Sequence, residues 1–460
     1  MSIPNLRFVS LLLAAVIAAT IARSAQKEGR PNIVFFLTDD QPYSGLSATG
    51  GLGTQTPAID RLAAEGVLFE NAFATTAICC CSRASILTGQ YMRRHGIEDF
   101  QKPLSDAQLA LTFPVLLREH GYRTAFLGKF AVGSPEIDER RALPAHLFDL
   151  WYGFPQSVSF RQTEGGRTRY LTTLMTEKAV EFMDATPRDQ PFCLIMALKE
   201  PHGPLDYQDP EFTPPAEAGP ITRPSTLTHA AFDHLPAVVR ESLAASPRLI
   251  DSSTAFESYV RLRNAYIARA DLAVAQVRAA LAARGLDRNT VVIFASDHGV
   301  FMGAHGLNGK WLMYEESIRL PLIISDPRLP VSTRGRRTAM ALNIDLAPTF
   351  LAIAGVPIPT SMQGGDLQPL LRDPAARIHT DWFYEHVFTD SGRRPIPKVE
   401  GVRTERWKYI RYPGTHPLVE ELFDLAVDPH EESNLAGLPD QRAMLGDLRT
   451  RCDTYEVSLK

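Results

Sequence analysis

Apolar and polar positions along this chain fall into two kinds of block. Nearly continuous apolar runs bounded by turn formers occur at 32–38 (N-I-V-F-F-L-T), 122–127, 191–198, 290–295 (T-V-V-I-F-A) and 319–325. Runs of that length without alternation predict strands buried on both faces, as in a parallel sheet. Between them lie stretches with helical spacing. Thr56 and Pro57 open a helix that Gly66 closes, Pro114 sits in the first turn of a helix over 112–121, and residues 165–185 are predicted helical. A long helix is predicted over 254–284, with Gly285 as its stop. Residues 205–250, rich in proline, alanine and polar side chains, carry little periodicity and read as a loop-rich insertion over the mouth of a site. Residues 401–412 alternate like an antiparallel strand. Strands alternating with helices predict an α/β fold, and a composition shift at 372–377 places a boundary between residues 31–372 and a smaller C-terminal unit, 373–460.

The 460 residues suffice for one large domain with an appendage. A hydrophobic content of 45% with 22% charged residues is ordinary for a globular chain, and a net charge of −4 without a basic run argues against a nucleic-acid partner. Arg7 precedes an apolar stretch over 8–22, and small residues follow at Ala22, Ser24 and Ala25. That layout predicts a cleaved export signal at 1–25, hence a periplasmic or secreted protein with no membrane anchor after cleavage; the alternative is an uncleaved anchor. Of the five cysteines, three are consecutive. Cys193 reads as core, and a Cys193–Cys452 bridge is open to an exported chain.

Chemistry-bearing residues gather at strand exits. The first apolar run ends in Asp39-Asp40, and open α/β sheets place ligands at that edge. Two adjacent carboxylates repel unless a cation lies between them; the alternative is a solvated turn. The segment from Cys79 (C-C-C-S-R-A-S-I-L-T-G) puts thiols, a hydroxyl and a guanidinium where a helix begins, a layout suited to an anion, or else a buried cysteine cluster. Further exits deliver Gly128-Lys129, Pro201-His202 and Ser296-Asp297-His298-Gly299, followed by G-A-H-G-L-N-G-K at 303–310.

Cys79–Gly89 resembles the C-x-P-S-R…L-T-G signature of type I sulfatases, in the alkaline-phosphatase-like superfamily. The other segments, the stretch 343–355 and the E-E-L-F-D-L-A-V-D-P-H-E-E-S-N-L stretch at 420–435 follow the family's order over about residues 31–435. The resemblance implies a large mixed, mostly parallel sheet sandwiched by helices, with a C-terminal α+β subdomain built on an antiparallel sheet. It implies hydrolysis of a sulfuric ester, and export of the chain, which suits foraging on polymers, makes a saccharide sulfate the expected substrate. Cys79, four residues before Arg83, corresponds to the cysteine that a formylglycine-generating enzyme oxidises to 3-oxoalanine (formylglycine), the nucleophile. Arg83 would hold its hydrate, while Lys129, Lys310 and His202 would contact sulfate oxygens or protonate the leaving oxygen. Asp39, Asp40, Asp297 and His298 would bind Ca²⁺, or Mg²⁺. This chain departs from the pattern twice: Cys81 stands at the usual proline, and Ala131 at a histidine that assists sulfate release. His305 is the expected replacement for that histidine. A phosphatase or phosphonate monoester hydrolase of the same superfamily, or a catalytically silent binding homologue, are the alternatives. The aromatic stretch 382–386 (W-F-Y-E-H) reads either as a substrate-pocket wall or as core packing.

Overall fold

Strand β1 (Asn32–Thr38) lies inside an eight-stranded sheet, flanked on one side by β7 (Phe192–Ala197) and on the other by β8 (Thr290–Ser296). Its register pairs Phe35 with Ile195 on one neighbour and with Ile293 on the other, both parallel. The computed structural model describes residues 29–459 apart from 157, 205–208, 210, 216–219, 390, 391 and 393; the expected export signal at 1–25 lies outside the described residues. The full order is β10-β2-β9-β8-β1-β7-β3-β4, where β2 is Val67–Phe73, β3 Arg123–Lys129, β4 Leu150–Phe154, β9 Leu322–Ser325 and β10 Gly335–Leu342. Only β9 runs against its neighbours, so the sheet is mixed and mostly parallel, and the remaining strands deliver their C-terminal ends to one edge.

The unbroken apolar runs follow from cover on both faces. Ile33, Phe35 and Leu37 pack on one side with the helices Cys79–Thr88, Phe113–Glu119 and Leu346–Ile353, whereas Val34 and Phe36 pack on the other with Pro57–Glu65, Leu171–Asp184 and Ser253–Ala283. Successive side chains of a strand point to opposite faces, so a strand between two helical layers has no position for a polar group.

A second sheet, β11 (Asp381–His386), β12 (Val399–Thr404), β13 (Trp407–Tyr412) and β14 (Val419–Asp424), is antiparallel and packs with the helix Arg442–Ser458. Its core contains Trp382, Phe383 and Tyr384, all fully buried, together with Phe301, Leu312 and Met313 from the loop after β8. The aromatic stretch 382–386 is therefore core packing. Among the described residues no helix is long and apolar enough to cross a membrane.

Three local expectations change. The predicted helix over 165–185 begins only at Leu171, because Gly165 and Gly166, at φ 58° and 76°, close a hairpin between β5 (Arg161–Glu164) and β6 (Arg167–Tyr170). The run at 319–325 yields a strand only from Leu322, after Pro321, which has no ladder donor. Cys193 and Cys452 are free thiols in separate cores, so no bridge joins them.

Candidate active site

The backbone carries the acidic pair out of β1 by an unusual turn. Asp40 is held at φ 62°, a left-handed conformation that Asp tolerates better than most residues. Its amide donates to Asp297 Oδ1 at 3.1 Å, and the His298 amide donates to the same oxygen at 3.0 Å. The exits of β1 and β8 are thereby tied together. Gly299 completes that turn, since a Cβ there would lie 2.2 Å from the Glu316 carbonyl oxygen. Gly128 does the same for Lys129: at φ 109°, its added Cβ would lie 2.0 Å from the Ala197 carbonyl oxygen of β7.

Cys79 is the first residue of its helix, with Ile78 extended before it, and is buried. Its Sγ lies 3.0 Å from Lys310 Nζ and 3.8 Å from Asp40 Oδ1. Lys310 Nζ also meets Asp40 Oδ1 at 2.5 Å, and Lys129 Nζ meets Asp39 Oδ2 at 2.5 Å. Arg83, one turn along from Cys79, donates to Asp297 Oδ2 (3.0 Å) and the Lys129 carbonyl (2.6 Å), with Asp39 at 3.7 Å. His202 Nε2 stands 3.8 Å from Asp40 Oδ2, with its side chain 35% exposed. Ligand atoms of Asp39, Cys79 and His202 fall within 4.8 Å of one another, so His202 forms the solvent-facing wall above the thiol.

Burial opposes every charge here, and the neighbours decide the outcome. For Asp39, burial is more than offset by Lys129, His202, Arg83 and Lys310, which hold the carboxyl well below its usual range. Asp40 is likewise depressed against its burial, chiefly by Lys310. Lys310 is raised because Asp40 and its other anionic neighbours outweigh burial. Burial and the Asp39 carboxylate push the Cys79 thiol upward, so it is not an activated thiolate.

Asp39, Asp40 and Asp297 each bring a carboxylate oxygen within 4.8 Å of the others, and Asp40 and His298 group with Cys79 in the same way. His298 Nδ1 lies 2.8 Å from the Gly299 carbonyl oxygen, which only accepts, so Nδ1 carries the proton. The lone pair of Nε2 then faces Asp40 Oδ1 at 3.3 Å and Asp297 Oδ1 at 3.6 Å. Asp39 Oδ1 and His298 Nε2 are both buried without a hydrogen-bond partner. Three carboxylates and an imidazole with orphaned donor atoms fit a divalent cation.

His305 is not brought to this cluster. Its ring packs on Tyr314 (5.3 Å between centroids), Nε2 is 3.8 Å from Glu316, and its amide is bound by Thr226. It faces toward the C-terminal sheet and does not line the thiol. Ala131 is fully buried, with its amide on the Pro155 carbonyl.

Other residues position the site without having been singled out. Arg263, on the long helix, donates to the Asp40 carbonyl at 2.9 Å. Asn343 binds Ser82 Oγ through Nδ2 (2.9 Å) and accepts the Thr75 amide, while Ser82 donates to the Asp297 carbonyl. Tyr384 donates to the Trp311 carbonyl at 2.6 Å and accepts the Ala77 amide, joining the Lys310 loop to the segment that carries Cys79. Ser82, Asn343 and Tyr384 lie within the segments 79–89, 343–355 and 382–386, but no local pattern marks their roles.

A parallel-sheet edge bearing a cation-type cluster against a helix-initial cysteine is a layout suited to an anionic ligand. The comparisons give the family. The Sulfatase family profile matches residues 31–356, and the profile of the N-sulphoglucosamine sulphohydrolase C-terminal region matches residues 303–457. The chain belongs to the sulfatase family and is a sulfuric ester hydrolase. It is 29% identical to an N-acetylglucosamine-6-O-sulfatase of Bacteroides thetaiotaomicron, covering 93% of this chain and 86% of that one. Identity to an ulvan-active sulfatase of Formosa agariphila is 27%, covering 91% and 80%. A solved structure in complex with its substrate D-glucosamine-2-N,6-O-disulfate aligns with TM-score 0.75 and 26% identity over 93% of this chain and 98% of that chain. The phosphonate monoester hydrolase of Agrobacterium radiobacter shares the fold, with TM-score 0.73 at 23% identity over 94% and 96%.

Proposed function

We propose that this chain releases sulfate from a sulfated saccharide, with residue 79 acting in its oxidised, formylglycine form beside a divalent cation held by Asp39, Asp40, Asp297 and His298. The observation that carries this reading is the contact of Lys310 Nζ with Cys79 Sγ at 3.0 Å, beside a buried carboxylate cluster. A thiol pushed up by burial is a poor nucleophile, whereas an aldehyde hydrate at that position would present two hydroxyls to a bound sulfate. The cation, when bound, supplies Lewis-acid polarisation of a sulfate oxygen.

The chain's own side chains divide the remaining work. The charges of Asp39, Asp40 and Asp297 balance those of Arg83, Lys129 and Lys310, so the site without a cation sums to neutral; a divalent ion makes it positive and able to hold an anionic ester. Lys129 and Lys310 are fixed cations at the charge that grows on non-bridging oxygens. Arg83, pinned by Asp297 and the Lys129 carbonyl, orients residue 79. His202, the part-exposed imidazole within reach of residue 79, transfers the proton to the leaving oxygen, and it also takes the part expected of His305. Saccharide specificity follows the relatives, and N-acetylglucosamine 6-sulfate is the first substrate to test.

The test is one preparation, co-expressed with a formylglycine-generating enzyme, assayed on N-acetylglucosamine 6-sulfate, an aryl sulfate and an aryl phosphate. Peptide mass at Cys79 is read in parallel. Faster turnover of the phosphate than of either sulfate, or turnover of sulfate by a preparation with an unconverted Cys79, overturns the reading.

A further inference from the structure

The loop that carries Lys310 has a second face. Asn308, Gly309 and Trp311, the immediate neighbours of that lysine, line a cavity of about 460 Å³ whose opposite wall is the segment 243–248. A volume of that order suits a sugar unit. The two walls are joined by backbone: Asn308 N–H donates to the Ala244 carbonyl at 2.7 Å, Ser246 N–H donates to the Gly306 carbonyl at 2.9 Å, and Ala245 bridges Leu307. Both charged residues lining the cavity are arginines, Arg248 and Arg394. Arg394 is held in place by donation to the Ala245 carbonyl at 2.9 Å through one guanidinium nitrogen. Arg248 is exposed. Among the described residues neither guanidinium has an ion-pair partner, in a chain of net charge −4.

Two other groups suit a sugar. Asn308 Oδ1 accepts from Tyr259 and from the Gly309 amide, so its Nδ2 remains a donor. Trp311 is held at φ 82°, a costly conformation for a bulky residue, and its ring lies against Gly309, where an added Cβ would meet it at 2.9 Å.

We infer that this cavity is a specificity subsite in which Arg248 and Arg394 bind a second anionic group, sulfate or carboxylate, on the saccharide whose ester Lys310 addresses. Guanidinium matches both oxyanions through paired N–H donors. The inference deepens the proposed function and rests on it. It makes the preferred substrate a saccharide bearing at least two negative groups, on one sugar or on neighbours.

The experiment compares kcat/KM on three substrates: D-glucosamine 2-N,6-O-disulfate, a disaccharide of glucuronate and 6-sulfated N-acetylglucosamine, and N-acetylglucosamine 6-sulfate. The wild type should favour one or both of the first two over the third by about tenfold or more, through KM, since two part-screened charge contacts together amount to about one decade. The first two arms distinguish sulfate from carboxylate as the second anion. In R248Q/R394Q the preference should fall to about twofold or less. R394K should retain part of it, and added salt should erode it in the wild type alone. Turnover of the third substrate without any preference for the others, or a preference that survives R248Q/R394Q, overturns the subsite while leaving the sulfatase reading intact. No turnover of any of the three, with an aryl phosphate hydrolysed, overturns both.

Discussion

Replacing Asp297 by Asn keeps the shape of the side chain and removes one charge, which isolates what the carboxylate does. In the fold Oδ2 pairs with Arg83 at 3.0 Å, and Oδ1 accepts two amides, those of Asp40 and His298. Both partners of the ion pair are at most 2% exposed. Arg83 donates to one oxygen and two amides donate to the other, so the new NH₂ group must face a donor whichever way the amide turns. Breaking a buried pair by deleting one partner costs about 3–5 kcal/mol. Arg83 retains Asp39 at 3.7 Å, so a loss of about 3 kcal/mol, at the lower end of that range, is expected in chelator. A ligand at a hundred times its dissociation constant adds about 2.7 kcal/mol to a native state that binds it, and D297N should forfeit most of this. The gap between wild type and variant should therefore widen to about 5 kcal/mol in excess Ca²⁺. Urea unfolding at pH 7, with Ca²⁺ and with chelator, measures both gaps, and sulfate-ester turnover should fall below detection. A variant as stable as wild type, or one that gains as much from Ca²⁺, would refute the assignment of Asp297 to both Arg83 and a cation.

Three other outcomes are expected. H202A should lose about 10²-fold or more in kcat, whereas H305A should keep turnover within about threefold of wild type, because its ring packs on Tyr314 away from Cys79; equal losses in steady-state assays would contradict that geometry. K310A should lower kcat/KM by about 10²- to 10³-fold, and a loss under tenfold would remove Lys310 from the charge-stabilising set. Burial pushes the Glu421 carboxyl up to about 7 against its Tyr412 and Tyr314 hydrogen bonds and the Lys408 charge. The folded state thus keeps a proton that the unfolded chain releases near pH 4.5, and stability falls as pH rises from there to about 7. E421Q should flatten that fall by on the order of 3 kcal/mol in urea titrations at pH 5 and 7.5, and an unchanged slope would sink the assignment.

The strands that matter most were legible because burial on both faces removes polar residues from a run. β1, β7 and β8 are the three central strands at the acidic cluster, and each stood out as an apolar block ending in a polar pair or a Pro-His turn. The i, i+4 spacing of Cys79 and Arg83 likewise fixed that both side chains leave one face of a helix. The edge strand β10 and its neighbour β2 hid for the converse reason. β10 reads G-R-R-T-A-M-A-L and is exposed at Gly335, Arg336 and Thr338, and Glu70 and Asn71 interrupt β2, so neither gives a clean period. His305 is near Lys310 in sequence but its ring is not beside the thiol in space. The backbone at His305 sits at φ 57° between the glycines Gly303 and Gly306, and that turn sends the ring to Tyr314.

What no local pattern could reveal is which polar residue on a long helix turns inward. Arg261 and Arg263 lie two positions apart in Y-V-R-L-R-N-A. Arg261 is half exposed and pairs with Glu257 one turn back, while Arg263 is buried and donates to the Asp40 carbonyl. The difference is a rotation of about 200° around the helix axis, and its meaning depends on β1 lying beneath that face. The C-terminal sheet shows the same dependence at longer range. Tyr384 and Lys408 donate to the carbonyls of Trp311 and Met313, so a subdomain remote in sequence braces the loop that aims Lys310 at residue 79. Since that loop also walls the arginine-lined cavity, one support positions both the lysine beside residue 79 and the proposed second-anion site. Substrate choice and catalysis are then coupled through the Asn308–Trp311 backbone, and a change that loosens the brace should weaken both together.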